Sequence, residues 1–377
     1  MFRLLLVFAA TAVFAGAHAQ TVHPGCTTRY AYEGNLLDSV GSVNGSATGP
    51  VAYSAGRFGQ ALNFSGTTKV TYGDVGKFGT TDFSVSYWSK ATTRDQRHVL
   101  GRRGICNVGS FWNFRSGAAG IVLEIDQSSE SNRFVVLSAS DLADGVWHHV
   151  VGIREGTQLS LIIDGAVEAT TTILPNLNIS NNSAPFRAGF GVCEGFGEKN
   201  FLGSLDEIQF YPRALSLLEA RQLGEFGGIT PVTLSGKVQL EDWSLGSAGY
   251  DARVELLRGE KVLDTMNTTL DAAGNYSVTT TQRGPFRVSV KTRHWLSGGA
   301  NTLITDAGAS GMNHTLLNGD TDGDNYVGTD DYLIINGSFD LSQGDAGYDP
   351  RADITGDAYV GTDDYLIVNA NFDKKGD

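Results

Sequence analysis

The chain has 377 residues, of which 41% are hydrophobic and only 18% are charged. This length fits two or three domains with sizeable cores, and the absence of heptad repeats excludes a coiled coil. The net charge of −13 excludes a basic nucleic-acid surface. Of this charge, −11 lies in residues 318–377, which hold 14 Asp, no Glu and three Lys or Arg. The acidity is therefore local and favours cation binding at this end of the chain.

The N-terminus predicts a secretory signal peptide. Arg3 precedes an apolar run from Leu4 to Phe14, and Ala17-His18-Ala19 then forms a small-residue cleavage site. The run is shorter than the roughly 20 residues that a membrane helix requires. We therefore expect residues 1–19 to be removed, and the mature chain from Gln20 to be secreted, either free or attached at the cell surface.

Export permits disulfide bonds, and the mature chain has three cysteines. Cys106 and Cys193 lie in similar Gly-rich settings, after Gly104-Ile105 and Gly191-Val192, so we expect these two to pair. Cys26 is then a free thiol or an intermolecular link. No Cys or His follows at the spacing of a zinc site.

Residues 20–226 predict one β-sandwich. Short runs in which apolar and polar side chains alternate are separated by turn signals such as Asp164-Gly165. Alternation gives each strand one apolar face, so two sheets must pack face to face. The alternating runs are Ala61–Phe64, Phe83–Trp88, Phe134–Leu137 and Leu159–Ile163.

This region resembles laminin-G-like, concanavalin A-like jelly-roll domains in the order of its motifs. The segments that carry the resemblance are Tyr32–Ser39, Gly56–Phe64, Phe83–Trp88, Trp147–Val151, Leu161–Gly165 and Gly203–Tyr211 with Arg213–Ser216. The family contains lectins, adhesion modules and glycosidase accessory domains, so the resemblance implies a fold more than a ligand. It also implies that Asp38 and Asp206 join backbone carbonyls around a structural calcium.

The strongest candidate for a sugar-binding surface is the segment from Phe111 to Arg115. Aromatic faces stack on sugar rings, and Asn and Arg side chains bond to hydroxyls, so Trp112, Asn113 and Arg115 are the expected ligand contacts. Alternation points Phe111 and Asn113 to one side of the strand, and Trp112 and Phe114 to the other. One of the two sets is therefore core.

No catalytic constellation stands out, and we expect the protein not to be an enzyme. The nearest approach is Glu124, Asp126 and Glu130, which are similar to the alternating acids of jelly-roll glycosidases. The spacing departs from that pattern at Glu130, so a solvated strand end is preferred over a glycoside hydrolase or lyase. His148 and His149 alternate, so one of them faces inward as a structural residue.

Residues 231–316 predict a second, smaller β-sandwich, after a linker that contains Gly227-Gly228 and Pro231. The pattern resembles the transthyretin-like, Ig-like sandwiches that serve as spacers in secreted proteins, and nothing in it suggests chemistry. The alternating runs are Val232–Val238, Arg253–Leu257, Tyr276–Thr279 and Phe286–Lys291.

Residues 318–377 contain an internal repeat with an offset of 33 residues. Asp320–Ile334 returns as Asp353–Ile367, and Asn336–Asp340 returns as Asn369–Asp373. A duplicated unit of this size predicts two similar halves that share one small core.

Each repeat has the oxygen ligands of a twelve-residue calcium loop, at positions one, three, five, seven and twelve. The alternative is a disordered acidic tail. The fixed offsets and the apolar residues after each loop argue against that alternative. The predicted ligands, with a backbone carbonyl at position seven, are Asp320, Asp322, Asp324, Tyr326 and Asp331 in the first loop and Asp353, Thr355, Asp357, Tyr359 and Asp364 in the second.

This pattern resembles dockerins, which pair two calcium loop-helix units without the entering helix of a full EF-hand. The resemblance implies a cohesin-like partner that contacts the helix starts, Thr329-Asp330 and Thr362-Asp363. The chain departs from dockerins at position six, where Asn325 and Ala358 replace glycine, and Ala tolerates a positive φ poorly. Thr355 is also a weaker ligand than Asp, so the second loop is expected to bind calcium less tightly.

The predicted fold class is mostly β, with a concanavalin A-like jelly roll, a smaller sandwich and a small C-terminal α module. The predicted function is carbohydrate recognition, of a polysaccharide or glycoprotein, by a secreted protein of polysaccharide catabolism that docks through its calcium module. The alternative is a structural or adhesion protein that binds protein partners. The acidic helix starts also leave open a calcium-stabilised anchor without a cohesin partner.

Overall fold

The structure is a computed structural model that describes residues 20–107, 109–117, 120–128, 130–181, 183–226, 230–243 and 245–377. The predicted signal peptide and the predicted linker glycines lie outside the described residues. Along the rest of the chain follow an N-terminal sandwich (residues 28–223), a middle sandwich (residues 232–316) and a C-terminal module (residues 318–377).

The N-terminal sandwich contains mostly short strands and one helix. In chain order these elements are β1 (Thr28–Tyr30), β2 (Ser46–Thr48), β3 (Ala52–Ala55), β4 (Gln60–Ser65), β5 (Lys69–Gly73), β6 (Phe83–Ala91), β7 (Arg97–Arg102), β8 (Phe111–Gly117), β9 (Gly120–Asp126), β10 (Arg133–Leu137), β11 (His148–Glu155), β12 (Gln158–Ile163), β13 (Ala166–Thr172), β14 (Phe186–Ala188), β15 (Lys199–Asn200), β16 (Leu202–Tyr211) and α1 (Leu217–Leu223). The predicted alternating runs all lie within these strands.

Two eight-stranded sheets face each other in this sandwich. The first sheet has the order β13–β12–β11–β6–β16–β4–β3, with β1 paired to β16, and the second has the order β10–β9–β8–β7–β14–β5–β2, with β15 paired to β7. The core between them is aromatic. Trp112 packs against Phe78, Phe186 and Phe210 at ring-centroid distances of 5.5, 5.8 and 5.6 Å.

Helix α1 covers the outer face of the first sheet. It starts at a capping box, in which the Ser216 hydroxyl accepts the Glu219 N–H and the Glu219 carboxylate accepts the Ser216 N–H. Its apolar residues cluster with Val151, Ile162 and Tyr211. Strands β6 and β11 are therefore buried on both faces, which the alternation of their sequences did not predict.

The middle sandwich has a three-stranded and a four-stranded sheet. Its strands are β17 (Val232–Leu240), β18 (Asp251–Arg258), β19 (Lys261–Thr269), β20 (Asn275–Thr280), β21 (Gly284–Thr292), β22 (Trp295–Ile304) and β23 (His314–Leu316). The sheets have the orders β20–β17–β23 and β19–β18–β21–β22. Arg258 joins this sandwich to the N-terminal one, because its guanidinium donates to the Asp164 carbonyl at 3.0 Å and pairs with Glu168 at 3.4 Å.

The C-terminal module contains α2 (Thr329–Ser338) and α3 (Thr362–Asn371), one after each acidic loop. Val327 and Ile335 from the first repeat and Val360 and Val368 from the second form its small core. Leu296 of β22 belongs to the same core. The two repeats therefore share a core as predicted, and the middle sandwich completes it.

Candidate functional site

The outer face of the second sheet carries charged and polar side chains together with apolar ones such as Val135, which stands opposite Glu124. On β8, Trp112 and Phe114 lie in the core between the sheets, so Asn113 and Arg115 lie on the outer face. Asn113 stands directly opposite Glu124 of the neighbouring strand β9. Of the two sets that alternation left open, the one with Trp112 is the core set.

The structure corrects the expectation that Trp112 contacts a ligand. Its ring is fully buried, and its Nε1–H donates to the Gly76 carbonyl at 2.8 Å. Asn113 is also buried, with its Oδ1 3.3 Å from an Arg103 guanidinium nitrogen. Arg115 keeps 20% of its side chain exposed. Of the three expected ligand residues, Arg115 is the one that reaches solvent.

Glu124 is the centre of an ion-pair cluster on this face. Its carboxylate lies 3.3 Å from Arg103, 3.2 Å from Arg115 and 3.3 Å from Arg133. Both carboxylate oxygens are engaged, Oε2 by the first two guanidinium groups and Oε1 by the third. Arg103 makes a hydrogen bond to Glu124, whereas the contacts of Arg115 and Arg133 are ion pairs without hydrogen-bond geometry.

The interpretation of these acids as a solvated strand end is wrong. Glu124 and Asp126 are both buried, and Asp126 lies 3.6 Å from Arg133. The side chain of Glu130 lies outside the described residues. A glycosidase needs one carboxyl group that is free to give a proton to the leaving group. The occupied oxygens of Glu124 do not provide one.

A disulfide bond holds one end of this face. Cys106 and Cys193 are bonded, as the sequence predicted, across a sequence separation of 87 residues. Arg103, at the start of the same loop, stacks on Phe111 with its guanidinium carbon 3.9 Å from the ring centroid. The bond thereby positions the arginine that contacts Glu124. Cys26 is free and partly buried.

His98 and Glu198 form a buried pair near this cluster that the sequence did not indicate. Their closest nitrogen and oxygen atoms are 3.8 Å apart, and neither ring nitrogen of His98 has a hydrogen-bond partner among the described residues. Burial lowers the pKa of His98 to about 3 and raises the pKa of Glu198. No local pattern marks Glu198, because it lies in an irregular Gly-rich segment.

His148 and His149 are both buried, although alternation predicted one inward-facing residue. His148 contacts Asp164 at 2.7 Å and Asp144 at 3.1 Å. The Nε2 atom of His149 lies 2.8 Å from the Ser86 hydroxyl. Burial lowers the pKa of His149 to about 3. Both residues hold the strand in place, which agrees with the structural role that was expected.

The buried His149, whose pKa is lowered by burial, predicts a loss of stability in mild acid. His149 stays neutral in the folded chain and takes up a proton when the chain unfolds below pH about 6.5, so the free energy of unfolding falls as the pH is lowered. At about pH 5 the loss is roughly 2 kcal/mol for this residue. Chemical denaturation of His149→Gln between about pH 7.5 and pH 5 should show a shallower decline than the wild type. An equal decline would contradict the assignment.

The two aspartates expected around a structural calcium serve different parts of the N-terminal sandwich. The Oδ1 atom of Asp38 accepts the backbone N–H groups of Arg29 at 3.0 Å and Gly41 at 2.8 Å. Asp38 therefore caps its own turn.

Asp206 is more deeply buried than Asp38, although each has one carboxylate oxygen without a hydrogen-bond partner among the described residues. Its Oδ2 accepts the backbone N–H groups of Arg57 at 2.9 Å and Phe58 at 3.0 Å. Its Oδ1 is buried without a hydrogen-bond partner among the described residues. Burial, with added negative charge from Glu207 and Glu33, raises the pKa of Asp206 to about 8. A metal ion would satisfy the orphan oxygen and favour the ionised carboxylate.

The first acidic loop (residues 320–331) brings three predicted ligands together. Carboxylate oxygens of Asp320, Asp322 and Asp324 lie within 4.8 Å of one another, the only such cluster of three among the described residues. Asp320 is fully buried, and burial raises the pKa of Asp320 and of Asp322. Asp331 accepts the Gly328 N–H at 2.7 Å, which fixes the start of α2.

In the second acidic loop (residues 353–364), the predicted ligand side chains accept hydrogen bonds from other groups of the same loop. Asp364 accepts the Thr355 hydroxyl at 3.1 Å and the Gly361 N–H at 2.8 Å. Asp353 accepts the Gly356 N–H at 2.8 Å, and Asp357 accepts the N–H of the residue two positions further on. The weaker calcium binding expected of this loop stays a prediction.

Position six of each loop has a positive φ, the conformation that alanine tolerates poorly. Asn325 and Ala358 both have φ of +71°. Asn325 uses its side chain as well, because its Oδ1 accepts the Ser297 N–H at 2.8 Å. Ala358 has no side-chain bond to offset the cost of the left-handed conformation, which is about 1 kcal/mol or more.

The position-seven tyrosines tie the two repeats together. The hydroxyl of Tyr326 donates to Asp373, and the hydroxyl of Tyr359 donates to Asp340. Each loop is thus held by the residue that follows the helix of the other repeat.

Within the described residues, no helix is long and apolar enough to cross a membrane.

No curated protein matches the chain. Many solved structures resemble it, among them the following three. Domain 4 of AbnA, a GH43 extracellular arabinanase from Geobacillus stearothermophilus, in complex with arabinotriose, is 20% identical, with a TM-score of 0.46 over 53% of this chain and 98% of that one.

The binding domain of Paraclostridial Mosquitocidal Protein 1 is 12% identical, with a TM-score of 0.45 over 71% of this chain and 75% of that one. A type II cohesin–X-dockerin complex from Acetivibrio cellulolyticus is 19% identical, with a TM-score of 0.32 over 38% of this chain and 97% of that one. Residues 64–221 match the family described as the Concanavalin A-like lectin/glucanases superfamily. The similarity to this superfamily covers less than half of the chain.

Proposed function

We propose that this is a secreted protein that recognises carbohydrate with the outer face of the second sheet and docks through a calcium-stabilised C-terminal module. The observation that carries the proposal is the difference between the two sheets. Helix α1 covers the outer face of the first sheet, whereas the outer face of the second carries an ion-pair cluster from which Arg115 and Arg133 reach solvent.

The chemistry of this face suits a sugar. Arg115 and Arg133 keep 20% and 28% of their side chains exposed, and both guanidinium groups lie within ion-pair distance of Glu124. A planar guanidinium offers several donors at fixed directions, which suits neighbouring hydroxyls of a sugar ring. Side chains whose motion is already restricted lose little conformational entropy on binding. Even weak contacts with sugar hydroxyls can then contribute to affinity.

Replacing Arg115 or Arg133 with Ala is expected to weaken carbohydrate binding about tenfold or more, because each change removes charged hydrogen-bond donors. The mature chain is first applied to a glycan and polysaccharide array in calcium and in EDTA. The strongest sugar is then titrated against each variant by calorimetry.

Arg94→Ala is the matched control, because Arg94 is exposed and pairs with Asp141 outside the cluster. Its affinity should equal that of the wild type. Equal binding by all three variants would remove the outer face as the sugar site. Loss of binding in EDTA would favour a calcium at Asp206.

Protein recognition is the second candidate, and exposed apolar residues of β10 favour it. Val135 and Leu137 are 45% and 43% exposed on this strand at the edge of the second sheet. An unpaired edge with apolar side chains accepts protein partners. A silent glycan array would support this alternative, and the search would move to pull-downs.

Calcium is the proposed cofactor of the C-terminal module. Asp320, Asp322 and Asp324 supply hard oxygens at the separations that one cation can bridge. A divalent cation would offset the repulsion between these carboxylates and the cost of burying the charge of Asp320. Asp331, the Tyr326 carbonyl and the corresponding atoms of the second loop complete the proposed ligand sets.

The helices offer a two-fold face for a protein partner. Leu333 and Leu366 occupy equivalent positions of α2 and α3, and Phe339 and Phe372 follow the two helices in the same way. All four side chains are largely exposed. This apolar face and the exposed helix starts support docking to a cohesin-like protein, as the resemblance to dockerins implies.

A further inference from the structure

Lys291 connects the middle sandwich to the first acidic loop. It lies near the end of β21, and its Nζ is 2.9 Å from the Oδ2 atom of Asp320, the first residue of the loop. The lysine side chain is 12% exposed and the aspartate is fully buried. The contact is thus an ion pair that solvent screens little.

The backbone around this ion pair is fixed. The N–H groups of Gly319 and Asp320 both donate to the His294 carbonyl at 3.0 Å, and the Leu296 N–H donates to the Leu317 carbonyl at 2.8 Å. The first loop therefore cannot move away from the β21–β22 hairpin, which carries Lys291, without breaking these bonds.

The second loop differs at the equivalent oxygen. Asp353 is its first residue, and its Oδ2 accepts the hydroxyl of Tyr348 at 2.8 Å. Among the described residues, no Lys or Arg forms an ion pair with Asp353. The first residue of the second loop thus contacts the neutral hydroxyl of Tyr348, whereas the first residue of the first loop contacts the charged Lys291 of the middle sandwich.

We infer that Lys291 is a tethered cation that regulates the first loop, neutralising Asp320 and lowering the affinity of this loop for calcium. This inference rests on the proposed calcium binding. Calcium and the Lys291 ammonium group would both interact with the carboxylate of Asp320. Each therefore lowers the affinity of that carboxylate for the other, and the coupling is reciprocal. Seating of the module on the middle sandwich and calcium binding by the first loop therefore oppose each other.

Lys291→Met tests the inference, because it keeps the apolar stem and removes the charge. The mature chain is titrated with calcium by calorimetry, and its melting temperature is measured in EDTA. Calcium affinity at one site should rise about tenfold, while the melting temperature in EDTA should fall because Asp320 loses its counter-ion. A lysine with a merely structural role would lower both quantities.

Three further variants make the result decisive. Lys237→Met makes the same charge change at an exposed position of the middle sandwich and should leave calcium affinity unchanged. Lys291→Arg keeps the charge and should bind calcium as the wild type does. Should Lys291→Met fold poorly in EDTA, Lys291→Gln keeps hydrogen-bond donors without charge and should show the same gain in affinity.

Unchanged or weaker calcium binding by both neutral variants would overturn the role of Lys291 and leave the calcium proposal standing. A wild-type chain that binds no calcium would overturn both.

Discussion

Replacing Asp320 and Asp322 together with Ala should abolish most of the stabilisation that calcium gives to the C-terminal module. The two residues supply two of the three clustered carboxylates of the first loop. Calcium at about 1,000 times its Kd adds about 4 kcal/mol to the free energy of unfolding, and this increment should disappear. Differential scanning calorimetry in millimolar calcium and in EDTA measures the difference.

The full mature chain is the right material for this test. Leu296 of the middle sandwich belongs to the core of the module, so a fragment that begins at residue 318 would lack part of its own core. Asp330→Ala with Asp345→Ala removes the same charge at two exposed positions and should keep the response to calcium. If the first double variant melts in calcium as the wild type does, the metal assignment fails.

Removing the disulfide bond should cost the N-terminal sandwich roughly 4 to 5 kcal/mol. Cys106 and Cys193 close a loop across 87 residues, and the entropy of the unfolded chain rises when so long a loop is opened. The double variant Cys106→Ser with Cys193→Ser is compared with the wild type by chemical denaturation. The variant should also bind carbohydrate less tightly, because the loop that positions Arg103 is released.

Cys26→Ser is the matched control and should unfold as the wild type does. Peptide mapping of the unreduced protein should recover Cys106 and Cys193 in one linked pair. A wild-type chain whose stability is unchanged by reductant would show that the bond contributes nothing.

Strand β8 illustrates where local patterns stop being informative. Alternation separated Trp112 and Phe114 from Phe111 and Asn113, and that separation is confirmed. It left open which set was core, because both sets contain large side chains. The arginines that surround Glu124 come from β8, from the disulfide loop and from the strand beyond, so only the strand order brings them together.

His148 and His149 show the same limit of local patterns, on a strand whose two faces are both covered. A period of two assigns one inward residue to His148 and His149. Helix α1 and the residues after it cover the other face of the sheet, so both side chains are buried. Which faces a sheet presents to solvent depends on elements far along the chain.

The sequence by itself predicted the strand-rich character of residues 20–316 and the duplicated acidic loops. These features depend on side-chain period, local composition and fixed offsets, which are properties of neighbouring residues. The similar Gly-rich settings of Cys106 and Cys193 favoured their pairing, and the folded chain brings the two together across 87 residues. The tertiary structure alone decided that Glu124 is buried among arginines and that Lys291 meets Asp320. Such contacts join charges from distant segments, and burial, which gives them their strength, exists only after the chain has packed.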